Sequence, residues 1–311
     1  DALYQNIDII KRHHADYVMV LGGDHVYTMD YSKMLVHHVQ HNADFTVGCI
    51  EVPKEEAREF GVMSIDENLR ITKFTEKPDE PECMPNKDDT ALASMGIYVF
   101  STKVLYRILT SDASNLSSSH DFGRDIVPSN IESCRAIAYP FRDDDGNPAY
   151  WRDVGTVDSY WQANIELCGV EPELNLYNRY WPIWTYQTQH PPAKFVFDDD
   201  DGRRGTAIDS LISAGCILSG AMVKRSIIFF STTIGSRSEV RDSVILPKVA
   251  IGDNCRITRA IIDKGCVIDD GTVIGEDPDE DAKRFHVTGN GVVLVTPEML
   301  GQDLYMTGES D

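Results

Sequence analysis

The pattern of apolar and polar positions up to about residue 170 alternates between strand-like and helix-like segments. Residues 17–21, 45–52 and 97–100 are short apolar runs, which are typical of strands buried on both faces of a sheet. Residues 1–7 are predicted to be part of a helix that has already begun at residue 1, and Asp30 is placed to cap the helix that follows it. This alternation predicts an α/β domain with a mostly parallel sheet.

A different pattern begins at residue 206, where aliphatic residues recur at intervals of six. Five-residue steps interrupt the interval after Leu246 and after Ile257. The series runs Ile228, Ile234, Val240, Leu246, Ile251, Ile257, Ile262, Ile268 and Ile274. A period of six with an inward aliphatic side chain is typical of parallel β-helices, whose triangular coils use three repeats each. We therefore expect a β-helix with a small side chain at every corner; the alternative is a run of short antiparallel strands, as in a sandwich.

These patterns divide the chain into four segments. They are the α/β domain (residues 1–170), a linker (171–205), the β-helix (206–300) and a polar tail (301–311). The linker is rich in proline and lacks periodicity, yet it holds Trp181, Trp184 and Phe195. Because large aromatic side chains favour burial, we expect the linker to pack on its neighbours.

The chain of 311 residues carries a net charge of −21, from 29 basic and 50 acidic side chains. Nucleic-acid binding needs a basic surface, so this balance excludes a general nucleic-acid-binding function. An anionic substrate has to be met by local lysines and arginines, by backbone N–H groups or by a metal ion.

Signals for membrane insertion, secretion and disulfide formation are missing from the sequence. No apolar run approaches the roughly 18 residues of a membrane-spanning helix, and no charged n-region precedes an apolar stretch. The seven cysteines are scattered and form no C-x-x-C pair, which fits buried thiols in a reducing compartment. We therefore expect a cytoplasmic protein with no membrane partner.

The first candidate for chemistry follows directly on residues 17–21. Gly22 and Gly23 let the backbone turn or approach a ligand closely. Asp24 comes next, at the carboxyl edge of the strand, where ligands of open α/β sheets bind. Asp24 is thus a candidate ligand for a divalent cation, although a turn aspartate that caps the next element explains the same residues equally well.

A second candidate lies where Pro78 ends ladder hydrogen bonding and leaves Glu76 and Lys77 at a strand end. A lysine in this position provides a point charge for a phosphate group. The alternative is a solvated surface pair of opposite charges.

A third candidate is Asp153, on a short strand-like segment that ends before a helix. Thr156 is placed to cap that helix, which we predict over residues 157–167. Two aspartates from separate segments, Asp24 and Asp153, can bind one Mg²⁺, which prefers carboxylate and phosphate oxygens together. Such an ion supplies positive charge that the chain lacks overall.

The histidines show no spacing typical of metal ligands. His37 and His38 fall on the helix after Asp30, on a face that we expect to be exposed. Residues 120–125 predict a helix start with Asp121 as its cap, and we assign this segment a supporting role.

Six sequence strings stand in the same order as in bacterial ADP-glucose pyrophosphorylases, and the chain resembles this family along its whole length. They are residues 21–27 (LGGDHVY), 60–63 (FGVM), 76–78 (EKP), 93–98 (ASMGIY), 120–123 (HDFG) and 150–156 (YWRDVGT). The resemblance implies a dinucleotide-fold nucleotidyltransferase domain whose N-terminal part is missing, followed by a left-handed parallel β-helix of hexapeptide repeats. It also implies the reaction of ATP with α-D-glucose 1-phosphate to ADP-glucose and pyrophosphate, the committed step of glycogen biosynthesis.

The resemblance further assigns roles to individual residues. Asp24, Lys77 and Asp153 correspond to the catalytic set, in which Asp24 and Asp153 bind Mg²⁺. Trp151 and Asp121 correspond to residues that support the site. The implied contacts to glucose 1-phosphate, with Lys77 on the phosphate, are Gly61, Glu76, Lys77 and Ser94.

The chain also departs from the family. The family's Gly-rich phosphate loop would lie upstream of residue 1, so we predict that this chain alone is inactive. Ser231 stands where some members carry an arginine for AMP, which leaves AMP inhibition open. Lys283 and Arg284 remain as candidates for binding a small anionic allosteric effector, and the family implies a homotetramer.

Three alternatives stay open. A related pyrophosphorylase uses UTP, dTTP or GTP with another sugar phosphate. A non-catalytic regulatory subunit of a hetero-oligomer lacks metal and sugar-phosphate residues, whereas Asp24, Lys77 and Asp153 are all present here. A hexapeptide-repeat acyltransferase needs a catalytic histidine between coils, and residues 206–275 contain no histidine.

Overall fold

The computed structural model describes residues 2–85, 87–199 and 202–303, so most of the predicted polar tail lies outside the described residues. The chain divides into two compact units, Asp1–Trp151 and Arg152–Asp311. The α-helices are α1 (Ala2–Gln5), α2 (Ile7–Arg12), α3 (Tyr31–Gln40), α4 (Thr102–Ala113), α5 (Val127–Asn130), α6 (Val157–Glu166) and α7 (Pro278–Asp281). Within the described ranges, none of the helices combines the length and apolar character needed to cross a membrane.

The strands are short except in the first unit. From the N-terminus to residue 153 they are β1 (Tyr17–Val20), β2 (His25–Tyr27), β3 (Phe45–Pro53), β4 (Gly61–Ile65), β5 (Ile71–Glu76), β6 (Thr90–Ser101), β7 (Ala136–Pro140) and β8 (Trp151–Asp153). The next group is β9 (Lys194–Val196), β10 (Thr206–Ile208), β11 (Leu211–Ile212), β12 (Ile217–Ser219), β13 (Met222–Lys224), β14 (Ile227–Ile228), β15 (Thr233–Ile234) and β16 (Glu239–Arg241). The last are β17 (Val244–Ile245), β18 (Ala250–Ile251), β19 (Arg256–Thr258), β20 (Ala260–Ile262), β21 (Val267–Ile268), β22 (Val273–Ile274), β23 (His286–Val287) and β24 (Val293–Val295).

The first unit is built around one mixed sheet with the strand order β5-β4-β6-β3-β7, to which β1 adds by pairing with β6. Among its described pairings, β3 with β7 is parallel and the other four are antiparallel. The predicted α/β class is confirmed, but the expectation of a mostly parallel sheet is wrong. An unbroken apolar run indicates burial on both faces of a sheet but contains no information on strand direction. The long strand β6 is antiparallel to β1, β3 and β4.

Alternate residues of β6 point to opposite faces of the sheet and enter two separate hydrophobic clusters. Tyr98 and Phe100 join the cluster that α4 covers, whereas Ile97 and Val99 join the cluster that contains Met34 of α3. Because both faces are covered, the accessible positions for a ligand lie at the ends of the strands.

Helix α3 begins where the sequence predicts, since the Asp30 carboxylate accepts a hydrogen bond from the Ser32 N–H at 3.0 Å. The expected exposure of His38 is wrong, because its side chain lies on the helix face that covers the sheet and is 1% exposed. Its ring nitrogens lie 2.8 Å from Thr46 Oγ1 and 3.2 Å from Ser101 Oγ. Burial lowers the pKa of His38 to about 4, so the imidazole is neutral inside the fold at neutral pH.

The second unit contains a parallel β-helix, which confirms the prediction from the period of six. Its walls are three sheets with the strand orders β10-β13-β16-β19-β22, β11-β14-β17-β20-β24-β23 and β21-β18-β15-β12-β9. The coil from β10 to β12 returns to the same wall after 16 residues, and the coils that follow return after 17, so Ile228 stacks on Ile245 and Ile245 on Ile262. The left-handed sense of the coil stays a prediction.

One step of the predicted repeat is wrong. Ile245 is fully buried in the core of the β-helix, whereas Leu246 lies outside that core and is half-buried beside α6. The five-residue step therefore falls between Val240 and Ile245. Because residues 245 and 246 are both aliphatic, the hydrophobic pattern alone permits either register.

The corners of the coils also differ from expectation, because long side chains occur there. Residues with positive φ recur from coil to coil in three series, one for each corner of the triangle. The series are Gly220, Arg237, Asn254 and Gly271; Gly215, Ser231, Lys248 and Gly265; and Asp209, Arg225, Asp242 and Arg259. Side chains such as Arg237 and Lys248 are tolerated because they are exposed to solvent. The small residue that the corner requires comes next in the chain, at the buried positions of Ser226, Ser243 and Ala260. Each serine Oγ accepts a hydrogen bond from the N–H one coil later, at 3.1 Å, which satisfies the buried backbone.

The segment predicted as a linker contributes to the β-helix, because β9 pairs with β12 in one wall. The expectation that its aromatic side chains pack on their neighbours is wrong for Trp184, which is 89% exposed. Trp181 and Phe195 are 48% and 44% exposed. Trp181 and Trp184 lie in residues 171–193, which form neither helix nor strand, since proline interrupts regular hydrogen bonding.

Helix α6 packs on the β-helix. Thr156 caps it as predicted, by accepting a hydrogen bond from the Ser159 N–H at 3.1 Å. Trp161 Nε1 donates to the Asp242 carbonyl oxygen at 2.8 Å, and the Arg259 guanidinium lies 4.4 Å from the centre of the Trp161 ring. These contacts are why the second unit begins before α6.

The C-terminal end of the β-helix is closed by the residues that follow β22. Asp281 is buried and accepts a hydrogen bond from the Gly275 N–H at 2.7 Å, and Phe285 joins the core. The Gln302 amide pairs with the backbone of Val267 on β21, accepting from its N–H at 3.0 Å and donating to its carbonyl oxygen at 2.6 Å.

Candidate active site

The segment after β1 contacts β6 through two glycines. The Gly22 N–H donates a hydrogen bond to the Gly96 carbonyl oxygen at 3.1 Å. The His25 ring packs on both glycines, because a Cβ added to Gly22 or Gly96 lies 2.7 or 2.9 Å from His25 ring atoms. Gly96 also has a φ of +66°, which L side chains rarely adopt. The two glycines therefore fix His25 and the turn that holds Asp24.

Asp24 faces solvent at this turn, with 63% of its side chain exposed. Its Oδ1 lies 3.5 Å from His25 Nε2, and the His25 ring lies 5.0 Å from the Trp151 ring. Trp151 is buried and contacts Phe60 edge-to-face at 5.2 Å between ring centres. An exposed carboxylate on a rigid aromatic base is available to a cation or to hydrogen-bond donors of a ligand.

Asp153, the other predicted metal ligand, belongs to the second unit. It is half-buried on β8, and its Oδ1 accepts a hydrogen bond from the Gly155 N–H at 3.2 Å. The structure thus assigns Asp24 and Asp153 to different units, and their joint binding of one ion stays a prediction.

Glu76 ends β5 directly opposite Gly61 of β4. A Cβ on Gly61 would lie 2.8 Å from Glu76 Oε2, and a Cβ on Gly123 would lie 2.3 Å from the same oxygen. The carboxylate therefore occupies the space that side chains at positions 61 and 123 would take. Glycine at these two positions allows the acid to lie against the backbone.

The electrostatic surroundings of Glu76 favour its protonated form. Burial raises the pKa of Glu76, and the negative charge of Asp121 raises it further, against the opposing effects of Lys77 and Arg124. Lys77 is exposed, has a φ of +43° and donates its N–H to the Phe60 carbonyl oxygen at 3.1 Å. A non-glycine residue in this left-handed conformation is uncommon, and such positions cluster at functional sites.

Ser94 and Tyr98 bring two hydroxyl groups to the same place. The Tyr98 and Ser94 side chains lie next to each other, and the Gly96 N–H donates a hydrogen bond to Ser94 Oγ at 3.3 Å. Burial raises the pKa of Tyr98 to about 12, and the charges of Glu76 and Asp121 act in the same direction. Tyr98 is therefore a protonated donor beside two carboxylates.

Asp121 caps a π-helical turn, Phe122–Ile126, as the sequence predicts for a helix start. Its Oδ1 accepts a hydrogen bond from the Arg124 N–H at 2.8 Å. The Phe122 ring lies 5.4 Å from the Tyr98 ring, which fixes the turn over β6.

The first unit therefore brings together one group of predicted residues. They lie next to Glu76, act on it through their charge, or lie beside Tyr98, on which Glu76 acts, and they are Gly61, Glu76, Lys77, Ser94 and Asp121. Carboxylates and hydroxyls suit a polyhydroxylated ligand, and the exposed lysine suits its anionic group.

Sequence reasoning missed His25 and Tyr98 as members of the site. The glycine pair Gly22 and Gly96 is the signal that points to His25, because a glycine at a strand marks a close approach by another group. Tyr98 is one more apolar position of a buried strand in the sequence, so only its contact with Ser94 distinguishes it.

The predicted effector ligands lie at the closed end of the β-helix. Lys283 Nζ lies 2.5 Å from Glu280 Oε1. Arg284 Nη2 donates to the Val273 carbonyl oxygen at 2.9 Å and lies 3.0 Å from Asp281 Oδ1. Binding of an anionic effector by these two residues stays a prediction, and such a ligand would compete with the carboxylates.

Comparison with known families agrees with both halves of the fold. Residues 1–169 match the family model described as Nucleotidyl transferase. Residues 191–295 match the model described as GlmU-like, C-terminal hexapeptide. The fold and the site thus define a nucleotidyltransferase that carries a hexapeptide-repeat β-helix.

Similar proteins narrow this class. A glucose-1-phosphate adenylyltransferase of Thiobacillus denitrificans is 66% identical over 311 residues, which are 100% of this chain and 71% of that protein. Proteins of the same name from Hydrogenovibrio crunogenus and Nitrosococcus oceani are 62% and 60% identical, with 99% and 97% of this chain and 73% and 72% of theirs covered. The chain belongs to the glucose-1-phosphate adenylyltransferase family.

Proposed function

We propose that this protein transfers the adenylyl group of ATP to α-D-glucose 1-phosphate, giving ADP-glucose and pyrophosphate for glycogen biosynthesis. The single observation that supports it most is the cluster of Glu76, Ser94 and Tyr98 beside the exposed Lys77. The names of the similar proteins agree with this chemistry.

Different residues of the cluster bind different parts of glucose 1-phosphate. Glu76 accepts hydrogen bonds from sugar hydroxyls, and Ser94 Oγ provides a further partner. Gly61 keeps the approach to Glu76 open, since any side chain there meets the carboxylate. Lys77 places its charge on the phosphate and reduces the repulsion between the phosphates of the two substrates.

The reaction is a displacement at phosphorus. A phosphate oxygen of glucose 1-phosphate forms a bond to the α-phosphorus of ATP, and the bond from that phosphorus to the bridging oxygen breaks. Pyrophosphate leaves with the electron pair, and no covalent intermediate with the protein forms. The contribution of the chain is to orient the nucleophile and to neutralise charge.

The residues present fit a Mg²⁺ ion, because Asp24 is an exposed carboxylate and Asp153 adds a second hard oxygen donor. Asp24 and Asp153 would hold the ion. When bound, it offsets the negative charge that develops on the phosphates. In a chain with a net charge of −21, this proposal also explains how two polyanions are tolerated.

The experiment that tests the proposed function is a pyrophosphate-release assay with Mg²⁺ and glucose 1-phosphate, offering ATP, UTP or dTTP in turn. It compares this chain with a form extended upstream, since we predict that the chain alone is inactive. Activity with ATP in the extended form supports the proposal. Activity with another nucleotide indicates a sister pyrophosphorylase, and silence of both folded forms indicates a regulatory subunit.

Replacing Lys77 tests the assignment of the phosphate site. In the extended form, Lys77→Ala raises the half-saturating concentration of glucose 1-phosphate by about ten- to a hundredfold and leaves that of ATP nearly unchanged, because a charged hydrogen bond is lost. Lys73→Ala on β5, the strand that Lys77 follows, is the matched control, since Lys73 is exposed and paired with Glu82 at 2.7 Å. Equal effects on both substrates contradict the assignment.

We also propose, from the family resemblance, a cytoplasmic homotetramer that responds to a small anionic effector. Light scattering after size exclusion measures the mass of the particle. Substituting Lys283 and Arg284 tests the effector site, because loss of activation without loss of basal activity is the expected result.

A further inference from the structure

The turn that leads into Asp121 is held by a carboxylate from α4. Asp112 has a side chain that is 15% exposed, and its Oδ2 lies 2.6 Å from His120 Nδ1. Its other oxygen accepts a hydrogen bond from Ser118 Oγ at 2.6 Å. The Ser118 Oγ in turn accepts from the His120 N–H at 3.0 Å, so side chain and backbone of His120 are both fixed.

A second carboxylate holds the same turn from the other side. Asp125 Oδ2 accepts hydrogen bonds from the Ser119 N–H at 3.0 Å and from the Asp121 N–H at 3.2 Å. The Ser119 hydroxyl bonds to the same oxygen. Residues 118–121 are therefore a rigid segment, although they form no regular secondary structure.

His120 has a φ of +61°, in the left-handed region that disfavours residues with a side chain. Asparagine tolerates this region better than most residues, and glycine adopts it freely. A histidine persists there only if its contacts offset the strain, and the contact with Asp112 is suited to do so.

The turn carries three groups that surround the predicted sugar site. The charge of Asp121 acts on Glu76 and Tyr98, and the Phe122 ring packs on Tyr98. Gly123 lies so close to Glu76 that a Cβ there would be 2.3 Å from Oε2. A shift of the turn moves these groups together.

We propose that His120, through its bond to Asp112, is a positioning residue for the sugar site. It sets the place of Asp121 and Gly123 relative to Glu76, and it touches neither substrate. This inference rests on the proposed function, because it assigns glucose 1-phosphate to that site.

Three substitutions separate the bond from the backbone conformation. His120→Asn keeps a side-chain nitrogen near the position of Nδ1 and tolerates positive φ. His120→Gln carries its amide one bond further, beyond the Nδ1 position. His120→Gly relieves the strain but removes the bond. His14→Gly is the matched control, because His14 is exposed and also has a positive φ of +48°.

Calorimetric titration with α-D-glucose 1-phosphate is the measurement, with the thermal unfolding midpoint recorded for every variant. We expect His120→Asn to bind within about twofold of the unsubstituted chain, and His120→Gly and His120→Gln to bind about ten- to a hundredfold more weakly, since small displacements in a site cost this much. His14→Gly binds normally.

Two kinds of result overturn the inference in different ways. If His120→Gly unfolds at a lower temperature but binds normally, or if His120→Asn binds as weakly as His120→Gly, the bond has no positioning role. If the unsubstituted chain binds no glucose 1-phosphate, the proposed site is wrong and the inference falls with it.

Discussion

The two units use left-handed backbone conformations for different purposes. In the β-helix they recur at each corner, coil after coil, and close the triangle. In the first unit they occur singly, and three of the residues that adopt them, Lys77, Gly96 and His120, border the candidate site, whereas others such as His14 do not. Repetition lets the β-helix use almost any exposed residue at a corner, whereas each isolated case depends on particular neighbours, such as His25 over Gly96.

The units also differ in what they bury. The β-helix buries serines whose hydroxyls continue the hydrogen bonding of the backbone from coil to coil. The first unit contains a buried His38 and a half-buried Glu76, and the charged forms of both side chains are disfavoured. We therefore expect substitutions of the stacked aliphatic residues in the coils to act through packing, and substitutions of Glu76 and His38 to act through charge.

The largest expected effect is on packing in the β-helix. Ile245→Ala lowers the free energy of unfolding of this unit by about 2–5 kcal/mol, because a fully buried side chain leaves a cavity between coils. Leu246→Ala is the matched control and costs about 1 kcal/mol, since Leu246 is half-buried. Urea unfolding followed by far-ultraviolet circular dichroism measures both. A larger loss for Leu246→Ala would restore the six-residue step and contradict the register.

An intermediate effect is expected at Glu76, where binding and stability change in opposite directions. Glu76→Gln weakens glucose 1-phosphate binding by about tenfold, because a charged acceptor is lost. The same change raises the unfolding temperature at pH 8, since the folded state no longer contains a half-buried negative charge near that of Asp121.

The pH dependence gives the sign of this effect. The folded state raises the pKa of Glu76, so its ionisation destabilises the fold as the pH rises through that pKa. At low pH the acid is protonated in both states, and the advantage of Glu76→Gln disappears. Calorimetric scans at pH 8 and pH 4 measure the difference, and an advantage that grows toward acid contradicts the assignment.

The smallest effect is expected at His38. Its pKa falls from the usual 6.5 to about 4 in the fold, so the unfolded state takes up the proton first as the pH decreases. The first unit therefore loses stability between pH 6.5 and about 4. His38→Gln, which cannot be protonated, makes this loss smaller even if it is less stable at pH 8. Urea unfolding at pH 7 and pH 5 compares the two slopes, and equal slopes would exclude His38 as the cause.

The sequence predicts the β-helix well because each position repeats. Ile228, Ile245 and Ile262 occupy equivalent positions in successive coils, so the same hydrophobic pattern occurs several times in the sequence. The error in the repeat, Leu246 for Ile245, arises where two neighbouring residues are both aliphatic and the choice depends on the packing of α6.

The first unit is less predictable because its information is not repeated. Caps such as Asp30 and Asp121 are local and are predicted correctly. Strand direction, the burial of His38 and the contact of Tyr98 with Ser94 depend on residues distant in the chain. The residues predicted to bind glucose 1-phosphate are assigned from the family resemblance, and the structure adds that they lie around Glu76.

The closed end of the β-helix has a consequence for self-association. Each wall finishes differently: β24 ends against the antiparallel β23, the Gln302 amide occupies the backbone groups of Val267, and Arg284 covers the Val273 carbonyl oxygen. An uncapped terminal coil exposes unpaired backbone N–H and C=O groups, with which strands of another molecule can pair without limit. The three contacts therefore prevent strand pairing at this end of the β-helix and keep a stacked, repetitive fold from forming a fibre.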